Sequence, residues 1–154
     1  MKMDRKRSLI LISLNKYAGI FIPIITVLIA QVIKYIIALL KGNMEGYSVI
    51  AGTGRMPSGH SALTTSILVY YIYKAVFKNA SFDLVGIALV LWLVVLRDAV
   101  GVRKEVERHS KIINENILKK NVLSENQGHT ILEVFVGGII GIIVPIIYII
   151  LFCN

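Results

Sequence analysis

Apolar residues in this chain gather into four stretches: Ala18 to Leu40, about Ser61 to Phe77, about Phe82 to Leu96, and about Thr130 to Phe152. A helix crossing hydrocarbon needs about 20 mainly apolar residues, because unpaired backbone groups cannot face lipid. The pattern predicts an all-α, polytopic membrane helical bundle with about four transmembrane helices. The middle two stretches are short, so their polar ends must sit in the interface, thin the bilayer locally, or be buried against neighbours. Tyr70, Tyr71 and Tyr73 suit an aromatic belt at the end of the second. Between the third and fourth stretches, residues 103–121 are charged, while Val102, Val106, Ile113 and Ile117 recur at nearly helical spacing. This predicts an amphipathic helix on the membrane surface or capping the bundle. Its alternating charges read as a solvated face, so neither it nor His109 is assigned to a site.

Composition strengthens the membrane reading. The 154 residues are 56% hydrophobic, above the roughly 45–50% of soluble proteins, and the mean hydropathy is +0.73. The absence of repeats or low-complexity linkers gives one domain over residues 1–154, placed in the cell membrane as a multi-pass protein. The net charge of +8 would suit nucleic acid, but basic flanks on a membrane protein meet anionic headgroups. The partners are therefore the bilayer and its lipids, with no nucleic acid; nothing specifies an oligomer. The basic start, Lys2, Arg5, Lys6 and Arg7, resembles a signal peptide, yet Leu9 to Leu14 is followed by Lys16 and no A-x-A pattern. The basic N-terminus and the Lys/Arg-rich stretch from Arg97 to Gly128 pull orientation in opposite directions, and the two nearly balance.

Three polar clusters fall at ends of apolar stretches that an alternating path brings to one face: Arg55 to His60, Arg97 to Arg103, and Gly128 to Glu133. Lys34, with Gln31 one turn before it, lies late in the first stretch toward the same face. Pro57-Ser58-Gly59-His60 precedes a helix, so Ser58 is a candidate N-cap, and the amides of Ser58 to His60 are candidate phosphate donors. A simple capped helix start fits equally well. His60 suits a general acid for a leaving alkoxide. His129 and Glu133 lie four apart, hence on one helical face. A carboxylate holding one ring nitrogen fixes the tautomer and leaves the other nitrogen nucleophilic, although a structural His–Glu bond is the plain alternative. Lys34, Lys41, Arg55, Arg97 and Arg103 are candidates for the phosphoryl oxygens, and Asp98 is a candidate partner for one of the arginines. The glycine-rich segment Gly42 to Met56 suits a connection or close backbone approach to a ligand.

These residues resemble the divergent branch of the type 2 phosphatidic acid phosphatase family, distantly related to vanadium-dependent haloperoxidases. The resemblance runs from Gln31 and Lys34 through Met56 to Ala62 and Asp98-Ala99-Val100-Gly101-Val102-Arg103 to Gly128-His129-Thr130 with Glu133. It implies that His129 is the nucleophile, His60 the leaving-group acid, and Glu133 the orienting carboxylate. Lys34, Ser58, Gly59, Arg103 and Arg55 would bind substrate phosphate, with Asp98 and Gln31 supporting and neither metal nor cofactor required. The parent family's Arg-Pro is missing, although Lys41 falls at that arginine's spacing, and Leu123 stands at the expected third-motif arginine. The implied function is hydrolysis of a lipid phosphate or polyprenyl (di)phosphate through a phosphohistidine. Alternatives are a catalytically inactive headgroup-binding or transport protein of the same fold, a metal or ion path using Asp98, His60, His129 and Glu133, and a structural membrane protein.

Overall fold

The computed structural model describes residues 2–41, 56–125 and 127–153, and the regular elements within them are all helices. Among the described residues there are five α-helices: α1 (Lys2–Leu40), α2 (Gly59–Phe77), α3 (Phe82–Arg97), α4 (Arg103–Ile113) and α5 (Ile131–Phe152). The apolar part of α1, Asn15–Leu40, and α5 are each long and apolar enough to cross a membrane; so is the run Phe82–Leu118. That run carries α3 into α4 through a π-helical turn at Asp98–Val102, and a second such turn, Asn114–Leu118, follows α4. Instead of starting near Ala18, the first helix continues without a break from the basic residues at Lys2.

α2 departs most from the expected pattern. It is less apolar than Asn15–Leu40, the run Phe82–Leu118 and α5, and it is the inner helix, packing against α1, α3 and α5. Its buried residues are small or hydroxylated: Gly59, Ser61, Ala62, Thr64, Thr65 and Ser66, with Tyr70 and Ala75 beyond them. Lipid gives helices no hydrophobic drive to associate, so close backbone approach and interhelical hydrogen bonds take over. Both operate here. A Cβ built on Gly137 would sit 2.3 Å from the Ser58 carbonyl oxygen, and one on Gly141 would sit 2.6 Å from that of Ala62. Ser61 Oγ donates to the Val134 carbonyl at 2.7 Å, and Trp92 Nε1 donates to Thr65 Oγ1 at 2.9 Å. Most of the large aliphatic side chains of α1, α3 and α5 instead point outward, Ile20, Leu28, Ile87 and Ile150 among them, while Ile22 is buried against Tyr70.

A short connection turns the chain back from α2 into α3. α2 ends at Lys78, Asn79 adopts the left-handed region (φ 52°), and Ser81 caps α3 by accepting from the Asp83 N–H at 3.0 Å. Asn79 fits because asparagine enters that region more readily than most residues. One end of the bundle therefore collects the C-terminal part of α1, the starts of α2 and α5 and the end of α3. The other collects Asn15, Lys78 and Cys153; there Asn15 Nδ2 donates to the Phe152 carbonyl and Lys78 Nζ to that of Cys153.

The amphipathic helix forms, but its burial is the reverse of a plain apolar stripe facing inward. Val102, Val106 and Ile117 are exposed, and Glu107, Ser110 and Asn114 are buried. The reason lies in the segment after it, which folds back onto the polar side. Asn114 Nδ2 donates to the Leu123 carbonyl (2.9 Å) and Glu125 Oε1 (2.7 Å), while its Oδ1 accepts from the N–H groups of Val122 and Leu123.

Candidate active site

Three hydrogen bonds from backbone N–H groups gather the polar end. The His129 N–H donates to the Ala99 carbonyl at 3.0 Å, tying the approach to α5 to the turn after α3. The Gly128 N–H donates to Glu107 Oε2 at 3.2 Å. A Cβ on Gly128 would come within 2.7 Å of Lys104 Cα, so this close approach to α4 requires glycine. The Ser58 N–H donates to the Glu133 carbonyl at 3.0 Å, joining the starts of α2 and α5. This last bond corrects one expectation: the Ser58 amide is committed within the fold, so outward donors at this helix start are sought at Gly59 and His60. Ser58 caps α2 through its hydroxyl, which accepts from the Ser61 N–H at 3.4 Å, and its side chain is fully buried.

His129 and His60 face one another across this end, with ring centroids 6.2 Å apart and planes inclined by 60°. His129 is 2% exposed, and its Nδ1 lies 3.2 Å from Glu133 Oε2. An ionised carboxylate only accepts, so Nδ1 carries the proton and Nε2 keeps its lone pair. Nε2 is buried and has no hydrogen-bond partner among the described residues. Burial lowers the pKa of His129 below its ordinary 6.5, opposed by Glu133 and assisted by Lys34 and Arg103. The ring is thereby biased toward the neutral form that a nucleophile requires. Glu133 has a second task, because Thr130 caps α5 and Glu133 completes its capping box, with Oε2 accepting from the Thr130 N–H at 2.9 Å.

Cations surround the pair. Lys34, 3% exposed, reaches this end from α1, and Lys34, Arg103 and Asp98 all act electrostatically on His60. Arg103 Nε donates to Asp98 Oδ2, so its guanidinium is held in place. Gln31 Oε1 is buried without a partner among the described residues, and its Nε2 lies 3.6 Å from where a Cβ on Gly59 would be. Beside the histidines, a cavity of about 330 Å³ opens between α1 and α5, lined by Lys34, Ile37, Ala38, Lys41, Met56, Thr130, Leu132 and Glu133. Neither imidazole lines it; Lys34 and Glu133 are the links. Arg55 and the glycines from Gly42 to Gly54 lie outside the described residues. Among the described residues, no three His, Cys, Asp or Glu side chains form a group suited to a metal ion.

Residues 16–144 match a family model described as the divergent PAP2 family. The chain belongs to that family. It is also similar to the uncharacterized membrane protein YuiD of Bacillus subtilis (strain 168), 26% identical over 140 residues that cover 79% of this chain and 87% of the relative. No solved structure matches. In this divergent PAP2 protein two residues outside the sequence-based site shape it. Glu107 is buried, takes the Gly128 amide on Oε2, and accepts from Lys104 Nζ (2.8 Å) and Lys111 Nζ (3.4 Å) on Oε1. Asn114 folds the segment leading to Gly128. Their spacing of seven with Ser110 between marks one helical face, the signal that alternating charges obscured.

Proposed function

We propose that this protein hydrolyses a lipid phosphate or polyprenyl (di)phosphate in the cell membrane, which its four bundle helices cross, without a metal. The observation that carries the reading is the buried Nε2 of His129, without a hydrogen-bond partner among the described residues, on a ring fixed through Nδ1 by Glu133 and 6.2 Å in centroid distance from His60. Near-attack geometry would put phosphorus roughly 3–3.5 Å from His129 Nε2, with the leaving oxygen within hydrogen-bond reach of His60. His129 Nε2 attacks phosphorus; the P–O bond to the alcohol breaks with its electron pair going to oxygen, and His60 protonates that oxygen. Water, deprotonated by His60, then cleaves the phosphohistidine. Lys34, Arg103 and the Gly59 and His60 amides hold the non-bridging oxygens.

The test is phosphate release by purified protein across lipid mono- and diphosphates, with His129→Ala run beside the parent protein. The variant is expected to lose turnover entirely, and EDTA to leave the parent unaffected. Undiminished turnover in the variant removes the nucleophile. A second reading, recognition of a phosphorylated headgroup without cleavage, draws support from Leu123 at the expected arginine position and from the Arg103–Asp98 pairing. It would show as headgroup binding with no phosphate release from any substrate.

A further inference from the structure

α1 and α5 each lie chiefly on α2 and meet one another more lightly. Two hollows follow the seam between them. The upper one is the cavity at Lys34, Lys41 and Glu133. Further along, Ile22, Ile25 and Ile29 of α1 and Val144, Ile147 and Tyr148 of α5 border an apolar groove of about 250 Å³. Ile25 and Ile147 are about half exposed there, at 47% and 51%. At its far end the apolar character stops, because Tyr148 OH donates to Asn15 Oδ1 at 3.0 Å. The seam is thus cationic, then apolar, then polar. From Lys34 to Ile22 is twelve residues, or ~18 Å along a helix, close to one leaflet of a hydrocarbon core ~30 Å thick.

We infer that the α1–α5 seam is the binding track for one long-chain lipid phosphate, its phosphate at Lys34 and Lys41 and its single hydrocarbon chain in the isoleucine-lined groove. The inference rests on the lipid-phosphate reading and adds where the chain lies and which residues select its length. Charge complementarity orients the occupant, since only the Lys34 end suits an anion. Its place between the same two helices as the cavity beside the histidines distinguishes this groove from the other outward apolar faces. A chain too short to reach Ile29 forgoes the groove.

The experiment uses the full chain in nanodiscs of phosphatidylcholine, with a hexadecyl phosphonate carrying a diazirine at its chain terminus; a phosphonate is not hydrolysed, so binding is read apart from catalysis. Photolysis is expected to label residues 22–29 and 144–148. Unlabelled hexadecyl phosphonate should compete at least tenfold better than hexadecanol, about the factor expected from one added ionic contact. Labels spread evenly onto α3, or equal competition by the alcohol, would overturn the inference. Ile29→Trp, away from the proposed chemistry, should raise KM for hexadecyl phosphate about tenfold, equivalent to losing contact with roughly two methylenes, and leave butyl phosphate unchanged. An equal effect on both substrates also overturns it. Seam labelling without phosphate release from the parent protein keeps the track and counts against catalysis; phosphate release with labels elsewhere does the opposite.

Discussion

In the proposed reaction the two nitrogens of His129 divide the work, and Glu133 decides the division. With Nδ1 held at 3.2 Å by its carboxylate, Nε2 is buried and without a partner among the described residues. Because burial lowers the His129 pKa, protonation that would silence the proposed nucleophile sets in below the ordinary 6.5. Activity is therefore expected to hold from neutrality downward and fall on an acid limb below that pH. Glu133 opposes the lowering, so Glu133→Gln should move this limb to still lower pH while reducing kcat roughly a hundredfold or more. A pH–rate profile of both proteins checks it; an acid limb that moved upward would contradict the assigned roles. The i, i+4 spacing made this pair legible in the sequence, because both ends lie within one helical turn. The commitment of the Ser58 amide was not legible, since its acceptor, the Glu133 carbonyl, comes from 75 residues away.

Helix packing has the same character: local signals were readable, and meetings between segments were not. The stretch 61–77 read as a span like the others, yet its serines and threonines make α2 the inner helix against Gly137 and Gly141 of α5. Gly137→Ala should therefore act twice, costing about 1–3 kcal/mol by overpacking and pushing the start of α2, with His60, away from His129. Gly86→Ala provides the contrast, as nothing lies within 4 Å of its Cβ position; helix propensity favours it by up to about 1 kcal/mol. Thermal unfolding in detergent, paired with phosphate release, should separate them, with loss of both for Gly137→Ala and neither for Gly86→Ala. The charged helix α4 shows why alternating charge misleads. Glu107 faces inward because it has three donors to satisfy there, one of them the Gly128 amide. Glu107→Ala should destabilise by about 1–3 kcal/mol, the range for leaving a buried donor unmet. Glu107→Gln, which keeps an acceptor for Gly128, should recover part of that loss in the same melt.

Across the whole molecule, the proposed chemistry depends on alternation: His60, His129, Lys34 and Arg103 meet because successive helices return to one end. That end was legible from the chain, as each polar cluster borders an apolar stretch, whereas orientation in the bilayer was balanced by basic residues at both ends. The alternating path makes a sharp expectation. Lys78, beside Cys153 at the far end, and Lys119, after α4 at the histidine end, should lie on opposite sides of a membrane. With Cys153→Ser removing the only native thiol, Lys78→Cys and Lys119→Cys report each end separately. In sealed vesicles of one orientation, a membrane-impermeant maleimide should reach only one of the two until detergent is added. Labelling of both from the same side would mean that α3, the bundle helix between them, does not cross. The start of α5 would then lie on the opposite membrane face from Lys34 and the start of α2, and the proposed reaction could not assemble.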